Sequence, residues 1–473
     1  MDMLERLFQL LFSEQGEKLG VTLAKGILFA ALLIFLFDFI RSHTKKTPGL
    51  HAAPKGKGHG LVAGLDKRGR EIFVPETSDW HAAVFAATGD GKTSAVAVPT
   101  LQTWQGTGLV PDISGDIESR VRNPHKLVVR ILEDDSVPYN IFAPVDACGT
   151  IGEKNEALEQ LALQRMPEPP IMDDNARYFL QEGRKILLAA LIAFYHQGME
   201  YVEICKTIKY SSWRELFRRI DATGNVEAKA LINAFEGGNE RNIAGAFETC
   251  VAAVDVFTRE RLQKTIRRPK PGETAFTADS VEDHLCFVQI PDAELERYAP
   301  VMQMVFAQTL HYISARPAEK KTPLLLLIDE FVSMCKGGKF DLAPTLRKSR
   351  KKRCHVMILT QSVNDIDMYY GESERKSMMN NFTHTIIMSA HDPQTQRWVS
   401  DMIGEQIINR RSVSTNYRQV TRTRSEQKES IINPADIGRM RNDLMLLYPG
   451  GYLKLKRNYV FKNPKRKIAL KKD

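Results

Sequence analysis

The hydrophobic pattern changes character three times along the chain. Residues 19–40 are apolar almost without interruption, broken by Lys25 near one end and Asp38 near the other. A helix rising about 1.5 Å per residue crosses a hydrocarbon core of about 30 Å in roughly this length, so a transmembrane helix is expected there. No small-residue cleavage site follows the run, which separates it from a signal peptide. Arg41, Lys45 and Lys46 come directly after it, while the preceding residues carry a small acidic excess. The positive-inside rule then places the rest of the chain in the cytoplasm, as a single-pass protein of a bacterial inner membrane. Within residues 1–18, Leu4, Leu7, Phe8 and Leu11 form one apolar face too short to cross, predicting a segment on the membrane surface. Residues 41–60, with Pro48, Pro54, several glycines and four lysines, have linker composition.

Beyond the linker, short apolar runs of the kind that form buried parallel strands recur at 82–87, 108–113, 126–131, 285–290, 324–328, 355–360 and 385–389. Between 153 and 275 the period becomes helical, as in Leu180, Leu187, Leu188 and Leu191 and again in Phe247, Val251, Val254 and Phe257. The expected fold is a doubly wound α/β domain in two parts, 61–152 and 276–473, with an all-α domain inserted over 153–275.

Composition supports folded domains behind an anchor. The 473 residues are 43% hydrophobic and 26% charged, too rich in apolar side chains for long disorder. Lys and Arg outnumber Asp and Glu by 66 to 57, and the +9 balance favours contact with phosphates or anionic lipid. Much of it sits in runs at 347–353 and 462–472, where a solvated basic face is the alternative. The six cysteines are scattered, without the paired spacing of a zinc site or disulfide framework.

Candidate chemistry lies at the ends of two apolar runs. The run 82–87 leads into Thr88-Gly89-Asp90-Gly91-Lys92-Thr93-Ser94 and then a helical stretch, the strand–glycine turn–helix context of a phosphate loop. Glycines let backbone N–H groups wrap phosphate oxygens and the helix N-terminus adds partial positive charge. Lys92 would reach the β and γ phosphates of ATP, and the Thr93 hydroxyl would hold Mg²⁺. The strict pattern wants glycine where this chain has Ala86, which fits only if its backbone stays in ordinary φ/ψ space. The run 324–328 delivers Asp329 and Glu330 at its carboxyl end, the edge of an α/β sheet where ligands bind. Asp329 suits a Mg²⁺ ligand and Glu330 a general base for the attacking water. Two parts of one phosphoryl-transfer site agree, so an ATPase is expected.

These pieces resemble the TraG/TraD-type coupling ATPases of conjugation and type IV secretion, relatives of RecA-like motors. The resemblance is densest over 324–404: LLLLIDEF, the basic stretch, ILTQS, Tyr370-Gly371, Asn380-Asn381 and His391-Asp392-Pro393 before a helix ending at Gly404. Weaker echoes are Tyr139 to Pro144, Asn433-Pro434 and Pro449-Gly450-Gly451. By this resemblance Gln361 is a sensor of the γ-phosphate, Arg350 acts in trans on a neighbour's ATP, and the assembly is a homo-hexameric ring at the inner membrane. The partners it implies are single-stranded DNA without sequence preference, relaxase or effector proteins, and components of the secretion channel. Besides Ala86, the acidic-lysine-glycine string after the second strand departs from the family, appearing as Asp112-Ile113-Ser114-Gly115 without its lysine. Two other readings stay open: a receptor platform for protein effectors that uses nucleotide for ring assembly, and an FtsK-like DNA translocase.

Overall fold

The structure is a computed structural model that describes residues 49–462 apart from 114, 170–171, 318, 321, 336–341 and 417–418, with the backbone alone for 350 and 410–424. The chain divides into two units, Met1–Leu50 and His51–Asp473, and every described strand and helix belongs to the second. The span expected over 19–40, the segment before it and the basic run after 462 lie outside the described residues. No helix among the described residues is long and apolar enough to cross a membrane.

In chain order the strands are β1 (His51–Ala53), β2 (Leu61–Leu65), β3 (Glu71–Val74), β4 (Ala82–Phe85), β5 (Thr107–Pro111), β6 (Lys126–Arg130), β7 (Leu285–Gln289), β8 (Leu324–Ile328), β9 (Cys354–Thr360), β10 (His384–Ile387), β11 (Glu405–Asn416), β12 (Gln419–Ser430), β13 (Asp443–Tyr448) and β14 (Gly451–Lys456). Twelve of them form one sheet ordered β1-β3-β2-β14-β13-β10-β4-β9-β8-β5-β7-β6, and β11 and β12 pair as a separate ribbon. The seven strands from β10 to β6 run parallel and correspond to the seven apolar runs of the sequence. Every residue of β4, β5, β7, β8, β9 and β10 is buried, which is why these strands read as continuous apolar stretches rather than alternating ones.

Beyond β10 the sheet turns antiparallel, a wing that the hydrophobic pattern did not announce. Its strand β14 is mostly exposed and β3 is buried only at its ends, weaker signals than a buried run, while β2 and β13 are buried runs that the sequence reading passed over. Pro449 and Gly450 make the two-residue turn between β13 and β14. Within the stretch read as linker, residues 51–53 pair with β3 as an edge strand.

Between Ile151 and Thr265 the described residues form seven α-helices and no strand. Side-chain caps set several starts: Thr150 with Glu153 in a capping box, Asp173, Ser212, Asn225 and Asn239. The connectors to the sheet meet at Tyr139, whose backbone bridges Ile266 and Phe276 and whose buried hydroxyl donates to Gln308 Oε1 at 2.7 Å. One buried apolar cluster runs through the sheet and the helical region alike.

Candidate nucleotide-binding site

Parallel strands present their carboxyl ends at one edge, and three adjacent ones, β4, β9 and β8, end in the residues that the sequence singles out. Ala86 follows β4 with its N–H donated to Thr360 O at 3.1 Å, prolonging the ladder to β9. Among the described residues only Glu330 and Arg353 are non-glycine residues with positive φ, so Ala86 stays in ordinary space. The condition for alanine at this position is met. Gly89 (φ 82°) and Gly91 (φ 74°) take the left-handed turns of the loop, where a Cβ is strained. Thr88 is exposed at the tip. Thr93 opens a helix whose first turns, Thr93–Ala97, are widely wound before it continues as an α-helix over Val98–Thr103. Ser94 Oγ donates back to Gly91 O at 3.2 Å.

The loop and the end of β8 are joined by two side-chain contacts. Lys92 Nζ, nearly buried, donates to Glu330 Oε1 at 2.6 Å. Thr93 Oγ1 donates to Asp329 Oδ2 at 2.7 Å, while Asp329 Oδ1 is buried without a hydrogen-bond partner. Burial pushes the Asp329 carboxyl up to about 6; Thr93 and Lys92 pull it down, and Glu330 and Asp112 add to the rise. Glu330 adopts the left-handed conformation (φ 54°, ψ 48°), costly for a residue with a Cβ and held there by its neighbour. That neighbour, Phe331, is fully buried and stacks on Tyr370, centroids 5.8 Å apart and planes at 16°.

Asp112, at the carboxyl end of β5, belongs to the same edge. It is buried and accepts from the N–H groups of Glu118 (2.7 Å) and Ile117 (3.3 Å) and from Gln289 Nε2 (3.4 Å). Burial raises its proton affinity against those bonds. A cavity of about 340 Å³ lies between Gly91, Thr93 and Ser94 on one side and Asp112, Ile117 and Arg120 on the other, with Asp329 and Glu330 in its wall. Gln361 is exposed directly after β9, between the loop and the Asp329–Glu330 pair in strand order. The backbone of Arg350 lies in the short turn Arg350–Lys352 before β9, and its side chain is outside the described residues.

The residues present fit Mg²⁺. The threonine hydroxyl and the unsatisfied Asp329 oxygen are hard oxygen donors of the kind this ion takes alongside phosphates. No group of three or more His, Cys, Asp or Glu that could hold a metal occurs among the described residues. Sequence reasoning missed Arg120, Ser389, Arg457 and Tyr459 around the loop, since none belongs to a local motif and the last three come from segments about 300 residues or more away.

Comparison with known proteins points one way. A family described as "Type IV secretory system Conjugative DNA transfer" matches residues 40–262, and one described as "TraM recognition site of TraD and TraG" matches 323–442. The chain is 24% identical over 390 residues to a probable conjugal transfer protein TraG of Sinorhizobium fredii, covering 78% of this chain and 60% of that one. It is 22% identical over 355 residues to protein VirD4 of Rhizobium rhizogenes, covering 71% and 50%. The chain spans 50 to 60% of the length of the curated relatives it matches. Among solved structures it shares the fold of the bacterial conjugative coupling protein TrwBdeltaN70 in its unbound monoclinic form, with a TM-score of 0.66, 19% identity and coverage of 84% and 89%. TrwB in complex with ADP and Mg²⁺ matches with a TM-score of 0.65 and 18% identity over the same shares.

Proposed function

The chain belongs to the family of type IV secretion coupling proteins, and on that premise we propose that it is an ATP-hydrolysing motor that moves relaxase-bound DNA or protein substrates toward a type IV secretion channel. The observation that carries the ATPase is the pair of contacts across the sheet edge, Lys92 to Glu330 and Thr93 to Asp329. The loop amides and Lys92 bind the β and γ phosphates of ATP, and Lys92 exchanges its hold on Glu330 for phosphate oxygens. Glu330 is thereby released to take the proton of the attacking water; its half-exposed carboxyl has access to solvent. Thr93 and Asp329 hold Mg²⁺, which when bound supplies Lewis-acid charge to the phosphoryl oxygens. TrwB, named in its solved complexes with ADP and Mg²⁺ and with an ATP analogue, supports this choice of ligands. Gln361 contacts the γ-phosphate, and Arg350 of one subunit stabilises charge at the next subunit's site.

The larger assembly follows the family. A single span over 19–40 anchors the chain in the inner membrane after a surface segment at 1–18. The linker 41–60 leads to an ATPase domain of 61–152 and 276–473, and the helices of 153–275 form a domain presented to cargo. Six copies form a ring around the translocated strand.

The purified full chain should hydrolyse ATP with Mg²⁺ and do so faster with single-stranded DNA. Lys92→Ala and Glu330→Gln should each lower kcat by about 10²-fold or more. Rates unchanged in both variants would remove the site assignment. Wild-type turnover indifferent to DNA would leave the ATPase standing and make protein the cargo.

A further inference from the structure

Asp90 puts a carboxylate into the one segment whose amides are arranged to receive phosphate, where a negative charge repels the ligand. Other parts of the chain hold that carboxylate. Ser389 Oγ, just past β10, donates to Asp90 Oδ2 and accepts from the Ala87 N–H at 3.2 Å. Arg457, just past β14, has only 2% of its side chain exposed and pairs with Asp90, Nη1 to Oδ1, at 3.4 Å. Nη2 also reaches Asp90 Oδ2, at 3.5 Å, and the remaining contacts are to oxygens without charge. Nη1 reaches Asp90 O (3.2 Å) and Tyr459 Oη (3.1 Å), Nη2 reaches Met388 O (2.7 Å) and Met440 O (3.1 Å), and Nε reaches Asp443 O (3.2 Å). Tyr459 Oη donates to Asp90 O as well, at 3.1 Å, and its ring leaves no room for a Cβ at Gly91. Among the described residues, Asp90 is the sole carboxylate paired with this buried cation.

We infer that Arg457 is a positioning residue of the nucleotide site: it cancels the charge of Asp90, draws the carboxylate away from the phosphates, and pins the loop to the antiparallel wing. The wing is then part of the nucleotide site. A displacement of β13 or β14 reaches the loop through one guanidinium, because its donors are shared between Asp443, Met440 and Asp90. This rests on the loop being the phosphate site.

The test titrates the full chain with ADP and Mg²⁺ and records the melting temperature without nucleotide. Arg457→Ala should weaken ADP binding by about tenfold or more, since an uncompensated carboxylate then faces the phosphates. Adding Asp90→Asn should restore most of that affinity. Arg457→Lys, which keeps the charge and loses the fork, should fall between. If Arg457→Ala does not fold, Arg457→Lys with and without Asp90→Asn gives the same comparison. A role confined to packing would weaken the single and double variants equally, and either that result or unchanged affinity in Arg457→Ala would overturn the inference. Failure of the wild-type chain to bind ADP would instead overturn the site itself.

Discussion

Asp329 is half-buried in the cavity wall, with one oxygen on Thr93 and the other buried without a partner. Its proton affinity, raised by burial from the ordinary carboxylate range to about 6, is a stability statement. The native state prefers the protonated form, so the stabilising contribution is full below the unfolded value of about 4 and is lost as pH rises through about 6. Above pH 7 the buried charge costs about 2–3 kcal/mol, from about 1.36 kcal/mol per pKa unit. Asp329→Asn should therefore raise the urea midpoint at pH 7.5 and leave it nearly unchanged at pH 4, while Mg²⁺ no longer strengthens ADP binding. In the wild-type chain the Mg²⁺ dependence of ADP binding should fade as pH falls through about 6, because the ion needs the carboxylate ionised.

Elements hold these residues in conformations they would not choose alone. Glu330 is left-handed between a fully buried strand and the buried Phe331, which stacks on Tyr370. Tyr370 in turn ends the first half of a helix broken at Gly371 (φ 73°, ψ 159°) within Val363–Met379. Tyr370→Ala should cost about 3 kcal/mol through the cavity it leaves, and should lower kcat while ADP affinity holds, since Glu330 loses its backing and the phosphate loop does not. Gly371→Ala should cost about 1–2 kcal/mol from the backbone alone. At the opposite end of β8 and β9, Arg316 is fully buried, makes a bidentate pair with Glu282 at 2.6 and 2.9 Å, and donates to the carbonyls of Thr322 and Lys352. Removing one partner leaves a buried charge unpaired. Arg316→Ala should destabilise by about 3–5 kcal/mol in urea unfolding, with the nucleotide site intact in the folded fraction.

Across the whole molecule, the order of strands decides what meets what. β4 and β8 are separated only by β9, so residues 92 and 330 come within hydrogen-bond reach although the helices of 151–265 intervene in sequence. Those helices leave the parallel sheet after β6 and return before β7, and β6 and β7 are direct neighbours, so the excursion does not disturb the ladder. The proposed ring predicts subunit cooperation at this scale. Arg350→Ala should lower kcat by about 10³-fold with ADP affinity unchanged. When it is mixed with wild-type chain, activity should depart from proportionality to the mutant fraction; strict proportionality would show each subunit hydrolysing alone.

The chain's own pattern sufficed for the seven parallel strands, the helical stretch between β6 and β7 and the two halves of the proposed phosphate site. Each is a local signal: continuous burial writes an unbroken apolar run, helical period writes itself every three or four residues, and Gly89, Gly91, Lys92 and Thr93 act through backbone angles and a helix start within one turn. Ala86 could be judged only with its backbone in view, and Glu330 gives no hint in sequence of its left-handed turn. The joining of the wing's hairpins to each other and to β10, the carboxylate of Asp112 in the cavity wall, and the hold of Ser389 and Arg457 on Asp90 arise from contacts among segments far apart in the chain. Such contacts follow from strand order and burial, and folding brings their partners together without leaving a repeat or spacing in the sequence to mark them.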